Sequence, residues 1–225
     1  MGWREVLPRS AAWVREYDFY QPKYKYTYQA NAMALRLDER DIAIVSPPVG
    51  ATTDDFADID TKGRVTALIA PNVGHVAGQA EWQARYPAAM PYAPSSVCTA
   101  LKSVGRPFTP LSQLTAPRVE FRETHADTVV VVRHGDRPVA YLGELVLNGN
   151  ALPIGRLVFY VTGRRPGLRI NTVYRANIGP AVQTVARAIL EALRDDPAIV
   201  PAHGEPLVRP GDASRVRALV APLAR

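Results

Sequence analysis

The chain has 225 residues, which is the size of one full domain with its own hydrophobic core. Its 47% hydrophobic and 21% charged residues exclude a disordered chain. The single cysteine, Cys98, excludes an intrachain disulfide and a cysteine-rich zinc site. Only four histidines are present, so any metal or acid–base chemistry that relies on imidazole has to use nearly all of them.

Basic residues outnumber acidic ones, 27 Lys and Arg against 21 Asp and Glu, which gives a net charge of +6. They are spread along the chain, and the densest segment, residues 156–175, is interleaved with apolar residues. A nucleic-acid-binding protein concentrates positive charge in short runs or on one face. We therefore do not expect nucleic acid as a partner; the pattern favours a solvated basic face or a small acidic ligand.

The sequence contains no signal peptide or membrane span that we recognise. The first 19 residues lack an uninterrupted apolar segment and carry acidic residues early. No stretch approaches the roughly 18 apolar residues that cross a bilayer. We expect a cytoplasmic protein without membrane contact.

The first half of the chain alternates predicted strands and helices. Period-2 patterns and short apolar runs predict strands, while capping residues and acidic first turns predict helices. The predicted strands are residues 11–19, 31–37, 42–45, 64–69 and 90–93, and the predicted helices are residues 53–60, 76–86 and 95–103. The helix over residues 53–60 is expected to begin with Thr52 or Thr53 as its cap. This alternation is typical of a layered α/β fold.

The second half begins with strands and ends with helices. The predicted strands are residues 118–122, 128–133, 137–145 and 199–200, and the predicted helices are residues 180–193 and 213–223. His134, Gly135 and Asp136 form the expected hairpin turn between two of these strands. Residues 152–179 show no clear period, and we interpret them as a cap insertion over the mouth of a site.

Three of the four histidines occupy loops beside predicted buried strands. His75 follows the strand over residues 64–69, His125 precedes the strand at 128–133, and His203 follows residues 199–200. Glu144 lies at the end of another predicted strand, in an apolar context where a carboxylate requires a partner or a metal. Because such loops are where α/β folds collect ligand groups, these four residues are the candidate metal site.

The order and spacing of these residues resemble the metallo-β-lactamase superfamily over most of the chain. The family's H-x-H-x-D-H loop, second histidine, "GD" strand end and final "GHG" histidine are matched by residues 70–75, by Glu123-Thr124-His125, by Gly143-Glu144 and by Ala202-His203-Gly204. The segments around Asn31 and Ile44-Val45-Ser46-Pro47 look like the family's first strands. The resemblance implies a single domain over residues 1–225 with an α/β (α+β) fold, a four-layer αββα sandwich of two mixed sheets.

Several family positions are substituted. Ala70 and Asn72 stand where the family has two histidines, Gly74 replaces an aspartate, and Glu144 replaces the bridging aspartate. An uncharacterised branch of the superfamily with a PN-x-x-H loop and a following Glu-Trp, here Glu81-Trp82, is the nearest likeness. A two-metal centre cannot be assembled from what remains, but His75, His125, Glu144 and His203 would suffice for one Zn or Fe ion.

Three interpretations of the function follow from this resemblance. The first is a degenerate, mononuclear metal-dependent hydrolase of a small ester or lactone, with no catalytic base evident in the sequence. The alternative is a non-catalytic binding or scaffold protein that kept the fold and lost the metal. In the alternative, Glu144 pairs with an arginine and the histidines do not converge. A nuclease-like relative is a third interpretation, which requires basic residues around the site mouth.

Four further residues are candidates for the wall of a pocket: Asn72, Trp82, Tyr24 and Tyr26. Half of the ten tyrosines lie within residues 17–28, and Tyr24, Tyr26 and Tyr28 would share one face of an extended chain. This pattern fits a pocket wall, a homodimer contact or ordinary strand packing, with strand packing favoured. For Trp82, core packing is the commoner role.

Overall fold

The computed structural model describes residues 2–21, 26–101, 107–149 and 167–225. Within it, one seven-stranded sheet is formed by strands in chain order, first antiparallel and then parallel from the fourth strand onward. Its strands are β1 (Arg4–Glu5), β2 (Ala12–Gln21), β3 (Tyr26–Arg36), β4 (Asp41–Val45), β5 (Arg64–Ile69), β6 (Met90–Ala93) and β7 (Thr109–Pro110). The helices between them are α1 (Thr53–Asp60), α2 (Gln79–Arg85) and α3 (Ser95–Cys98).

The second half of the chain builds two smaller sheets. The four-stranded one contains β8 (Val119–Glu123), β9 (Thr128–Val132), β10 (Val139–Tyr141) and β13 (Ala198–Val200), in the order β13-β10-β9-β8. The three-stranded one contains β11 (Val146–Gly149), β12 (Gly167–Ile170) and β14 (His203–Gly204), with β11 in the centre. Three helices accompany them: α4 (Thr172–Ile178), α5 (Val182–Ala192) and α6 (Asp212–Val220).

Hydrophobic residues separate the elements into four layers. The central core lies between the seven-stranded and four-stranded sheets and includes Met33, Ile69, Val130 and Tyr141. One outer core packs α1 and α2 on the seven-stranded sheet. The other outer core packs α5 and α6 on the four-stranded sheet. The predicted α/β sandwich, with mixed sheets face to face and helices outside them, is therefore confirmed, and the separate three-stranded sheet departs from the predicted two.

Strand β9 shows why the layers form. Its four valines, residues 129–132, are all fully buried. Because successive side chains of a strand point to opposite faces, Val130 and Val132 enter the central core while Val129 and Val131 face the helices. A run of β-branched apolar residues thus fits a strand that is covered on both sides.

Several predicted elements agree with the structure residue by residue. Strands β5 and β6 have the predicted bounds, and α1 covers residues 53–60 with Thr52 as its cap in a capping box with Asp55. The helix predicted over residues 76–86 begins later, at Gln79. Gly78, directly before the first helical residue, lies so close to the Pro47 segment that a Cβ there would be 2.3 Å from the carbonyl oxygen of Pro47.

The strand predicted over residues 137–145 is wrong in its second half. Strand β10 ends at Tyr141, and the chain turns at Gly143, which has a φ of +64°. A period-2 reading cannot detect this turn, because glycine enters the left-handed region without interrupting the apolar pattern on either side. The turn releases Glu144 from the sheet and starts β11, which belongs to a different sheet.

The predicted cap insertion, residues 152–179, lies mostly outside the described residues. From Gly167 onward the chain forms β12, which pairs with β11, and then α4. Of the helices in the described part of the chain, none is both long and apolar enough to cross a membrane.

Candidate metal centre

The candidate site lies at one edge of the sandwich, where several strand ends meet. Strands β10 and β13 are parallel, with Tyr141 opposite Val200. Glu144 and His203 each come three residues after these partners, so both side chains reach the same edge. His75 arrives from the loop after the carboxyl end of β5.

The three side chains are in direct contact. Nε2 of His75 lies 2.7 Å from Oε1 of Glu144, and Nε2 of His203 lies 3.1 Å from the same oxygen. Each of the three offers a ligand atom, and these atoms lie within 4.8 Å of one another. The His75 side chain is 3% exposed, and the other two are 13% exposed, so the cluster is largely shielded from solvent.

The outer ring nitrogens of both histidines have hydrogen-bonding neighbours. Nδ1 of His75 lies 2.7 Å from Oγ of Ser46, which in turn lies 3.0 Å from the Tyr17 hydroxyl. Nδ1 of His203 lies 2.8 Å from the carbonyl oxygen of Gln29. A carbonyl only accepts hydrogen bonds, so this partner places the proton of His203 on Nδ1 and orients Nε2 towards Glu144.

Glu144 is held at its second oxygen as well. Nδ2 of Asn171 donates to Oε2 at 3.1 Å, while Oδ1 of Asn171 caps α4 by accepting from the Tyr174 backbone. Burial alone would raise the pKa of Glu144, but the charges and hydrogen bonds of His203 and His75 outweigh it and hold the pKa well below its usual range. The carboxylate is therefore the negative centre of the site.

A second carboxylate, Asp127, lies beneath the site and was not found from the sequence. It is fully buried, and Nδ2 of Asn72 donates to its Oδ1 at 3.2 Å. Burial raises the pKa of Asp127 to about 7, against the opposing effect of backbone hydrogen bonds from Glu144 and Thr128. Asn72 uses its other amide atom to accept from the backbone N–H of Gly74, so it holds a loop together.

His125 does not join the cluster, which corrects the expected ligand set. Its side chain is exposed, and it is absent from the group of donor atoms that converge on Glu144. Oγ1 of Thr124 accepts from the backbone of Asp127 and donates back to its carbonyl. This tight turn directs Asp127 into the protein and leaves His125 on the outside.

Three of the four predicted pocket residues are Trp82, Tyr24 and Tyr26. Trp82 belongs to the outer core: it is fully buried against Trp3 and Phe56, and its Nε1 donates to the Pro48 carbonyl. A side chain enclosed in this way cannot line an open pocket, so that prediction is corrected. Tyr24 lies outside the described residues, as does the side chain of Tyr26, whose backbone begins β3.

Four residues that complete the site were missed from the sequence: Ser46, Asp127, Asn171 and the carbonyl of Gln29. For one of them, Asp127, the sequence does contain a signal of burial. Asp127 directly precedes a five-residue run of β-branched residues, and an acid at the end of a strand buried on both faces is itself enclosed. The others act through contacts between distant segments, which local patterns do not encode.

No protein-family model matches the chain, and no curated protein matches it. Solved structures of metallo-β-lactamases match over nearly the whole length, and they show that the chain has the metallo-β-lactamase fold. FIM-1 from Pseudomonas aeruginosa, in its mono-zinc form, has a TM-score of 0.61 at 14% identity and covers 99% of this chain and 93% of that one. The metallo-β-lactamase of Erythrobacter litoralis has a TM-score of 0.62 at 12% identity, with 98% and 96% coverage. That of Hirschia baltica has a TM-score of 0.59 at 12% identity, with 99% and 97% coverage.

Proposed function

We propose that this protein binds a single Zn²⁺ or Fe²⁺ ion through His75, Glu144 and His203 and hydrolyses a small ester or lactone. The observation that carries the proposal is the convergence of two imidazole nitrogens and one carboxylate oxygen within 4.8 Å. Two histidines and one glutamate form a donor set used by catalytic zinc, which leaves coordination positions open for water and substrate.

The hydrogen-bonding pattern of His203 supports a cation in the site. Its proton is on Nδ1, facing Gln29, so the lone pair of Nε2 faces Oε1 of Glu144 at 3.1 Å. Two acceptor atoms at this distance repel each other unless both bind the same proton or metal ion. The donor set therefore fits a divalent ion, with a doubly protonated His203 as the metal-free counterpart.

The neighbouring positions support one ion in preference to two. Ala70 has no donor atom, and both amide atoms of Asn72 are engaged in hydrogen bonds within the protein. A Cβ built at Gly74 would lie 3.1 Å from Oδ1 of Asn72 and 3.9 Å from Oε1 of Glu144, and Gly74 offers no ligand atom where the resembled family has an aspartate.

A bound ion would supply Lewis-acid activation of a water molecule and of a substrate carbonyl group. The residues of the chain supply orientation. Ser46 fixes the ring of His75, the Gln29 carbonyl fixes His203, and Asn171 holds Oε2 of Glu144 so that Oε1 points at both histidines. Hydrogen bonds to the outer atoms of metal ligands set the direction and basicity of those ligands.

The non-catalytic alternative has one observation in its favour. If His203 is doubly protonated, the three side chains can satisfy one another through hydrogen bonds. The prediction attached to this alternative, a pairing of Glu144 with an arginine, does not match: the ion pairs of Glu144 in the described part of the chain are with His75 and His203.

Metal analysis of the purified full chain tests the proposal, with His75→Ala/His203→Ala and His125→Ala as variants. We expect one equivalent of Zn or Fe in the wild type and in His125→Ala, and a loss of metal in the double variant. Hydrolysis of p-nitrophenyl acetate and γ-butyrolactone should then follow metal content. Absence of metal after reconstitution with Zn²⁺ and Fe²⁺ would sink the proposal in favour of a binding protein.

A further inference from the structure

We propose that Asp127 is the positioning residue that aligns the segments carrying His75 and Glu144, and with them the metal site. The effect of Asp127 on metal binding rests on the proposed function, whereas its positioning of the two segments does not. Its structural basis is a single buried carboxylate that receives hydrogen bonds from three separate segments of the chain.

The three donors come from different strand ends. The side chain of Asn72 belongs to the loop after β5, the backbone N–H of Thr128 starts β9, and the backbone N–H of Glu144 lies in the turn after β10. They donate at 3.2 Å, 2.9 Å and 2.8 Å, respectively. Asp127 is fully buried, so water does not compete for these bonds. One side chain thus joins the loop of one candidate ligand directly to the backbone of another.

Asn72 transmits the contact to His75. Its Oδ1 accepts from the backbone N–H of Gly74 at 2.8 Å, and its carbonyl accepts from the backbone N–H of His75 at 3.3 Å. Asn72 presents its NH₂ end to Oδ1 of Asp127 and its Oδ1 to the Gly74 N–H, so the contact with Asp127 sets which way the amide faces. A change at Asp127 therefore reaches His75 through two hydrogen bonds.

Gly143 extends the arrangement to His203. A Cβ on Gly143 would lie 2.2 Å from Oδ2 of Asp127, so the carboxylate occupies the space that any other residue would fill. The Gly143 carbonyl accepts from the backbone N–H of Ala202, next to His203, at 3.1 Å. All three segments that carry candidate ligands consequently meet at Asp127 and Gly143.

The chemistry of the carboxylate suits this role. Two acceptor oxygens can serve three N–H donors, whereas an asparagine at this position would turn its own NH₂ group towards at least one of them. Asp127→Asn therefore keeps the volume and removes the pattern of acceptors. The substitution therefore tests the hydrogen bonds of Asp127 with little change in packing.

The experiment compares Asp127→Asn with Asp212→Asn, a buried aspartate at the start of α6 whose contacts are with Arg209 and Arg215. Zn²⁺ affinity is measured on the full chain by competition with a chromophoric chelator, and Tm is measured without metal. We expect Asp127→Asn to weaken Zn²⁺ binding about 10- to 100-fold, the usual effect of losing a residue that orients ligands. Asp212→Asn should lower Tm and leave Zn²⁺ affinity within about twofold, because its contacts do not reach a ligand.

A second readout does not require metal. With only four histidines, the ring signals can be assigned in ¹⁵N-labelled protein, and His134, in the hairpin between β9 and β10, serves as reference. Asp127→Asn should shift the ring signals of His75 and His203 in metal-free protein, and Asp212→Asn should not. If wild type binds no Zn²⁺ but these shifts occur, the proposed function fails and the positioning role stands.

Unchanged Zn²⁺ affinity together with unchanged His75 ring signals in folded Asp127→Asn would overturn the inference. If that variant does not fold, Asn72→Ala addresses the same link, since it removes only the connection between Asp127 and Gly74. Weaker Zn²⁺ binding or a shifted His75 signal in Asn72→Ala supports the inference. If that variant shows neither change, the inference is refuted.

Discussion

The Nε2 atom of His203 lies 3.1 Å from Oε1 of Glu144, while the other nitrogen of the same ring faces a backbone carbonyl. This relationship combines a fixed proton position with a carboxylate whose pKa is held low by His203 and His75 against the effect of burial. This relationship is the geometry on which the proposed metal site rests. It also makes Glu144, which replaces a shorter aspartate of the resembled family, the shared partner of both histidines.

Ser46 is expected to contribute to metal affinity although it is not a ligand. It is fully buried in a left-handed conformation with a φ of +55°, and its hydroxyl lies 2.7 Å from Nδ1 of His75. Ser46→Ala removes this contact, so we expect Zn²⁺ affinity to fall about tenfold, measured by chelator competition. Tyr17→Phe removes only the hydroxyl behind Ser46 and should have a smaller effect. Equal affinity in Ser46→Ala and wild type would contradict this expectation.

Gly143 is expected to be essential for stability because of the carboxylate beside it. Gly143→Ala combines a positive φ with a contact at 2.2 Å to Asp127, and we expect the free energy of unfolding to fall by about 3 to 5 kcal/mol. Gly211→Ala is the matched control: its φ is +85°, and a Cβ there meets nothing within 4 Å. That variant should lose only about 1 to 2 kcal/mol in urea unfolding. Similar losses in the two variants would argue against a steric role for Asp127.

The buried ion pair of Arg15 and Asp55 should make stability depend on pH. Two hydrogen bonds of 2.8 Å and 2.6 Å join them, and Asp55 also closes the capping box of α1. Burial would raise the pKa of Asp55, but hydrogen bonds from Thr52 and Arg15 lower it overall. A lowered pKa stabilises the fold above the unfolded-state pKa of about 3.9, and this contribution is lost as pH falls through the folded-state value.

Asp55→Asn tests this linkage. We expect it to cost about 3 kcal/mol of unfolding free energy at pH 7, because Arg15 is left buried without its charge partner. The difference between wild type and variant should shrink as pH is lowered below about 4. Urea unfolding of both proteins at several pH values measures it, and a difference that stays constant down to pH 2 would rule out the linkage.

Trp82 is expected to affect stability and leave the site intact. Its Nε1 donates to the Pro48 carbonyl at 2.9 Å within the outer core. Trp82→Phe removes this bond and some packing, so unfolding should become easier by about 1 to 2 kcal/mol. Zn²⁺ affinity should stay within twofold of wild type. A large loss of affinity in this variant would return Trp82 to the list of candidate site residues.

Local patterns were sufficient for most of the elements. Strands β5 and β6 and helix α1 follow from alternation, apolar runs and a capping residue, all of which act within a few residues. The turn at Gly143 is not visible in the local pattern, because the contact that requires glycine there is with the carboxylate of Asp127, 16 positions earlier in the chain. His125 was misplaced because the hydrogen bonds of Thr124 decide which neighbour faces inward.

The sequence by itself determined the layered fold and the placement of His75, Glu144 and His203 next to strand ends, since both depend on short-range periodicity. Only the tertiary structure decided that these three meet and that His125 does not. The reason is the register of parallel strands: Tyr141 opposite Val200 brings residues three positions further along into contact. Backbone hydrogen bonds from Leu142 to Val200 and from Ala202 to Gly143 continue this pairing between segments distant in the chain, which local patterns do not encode.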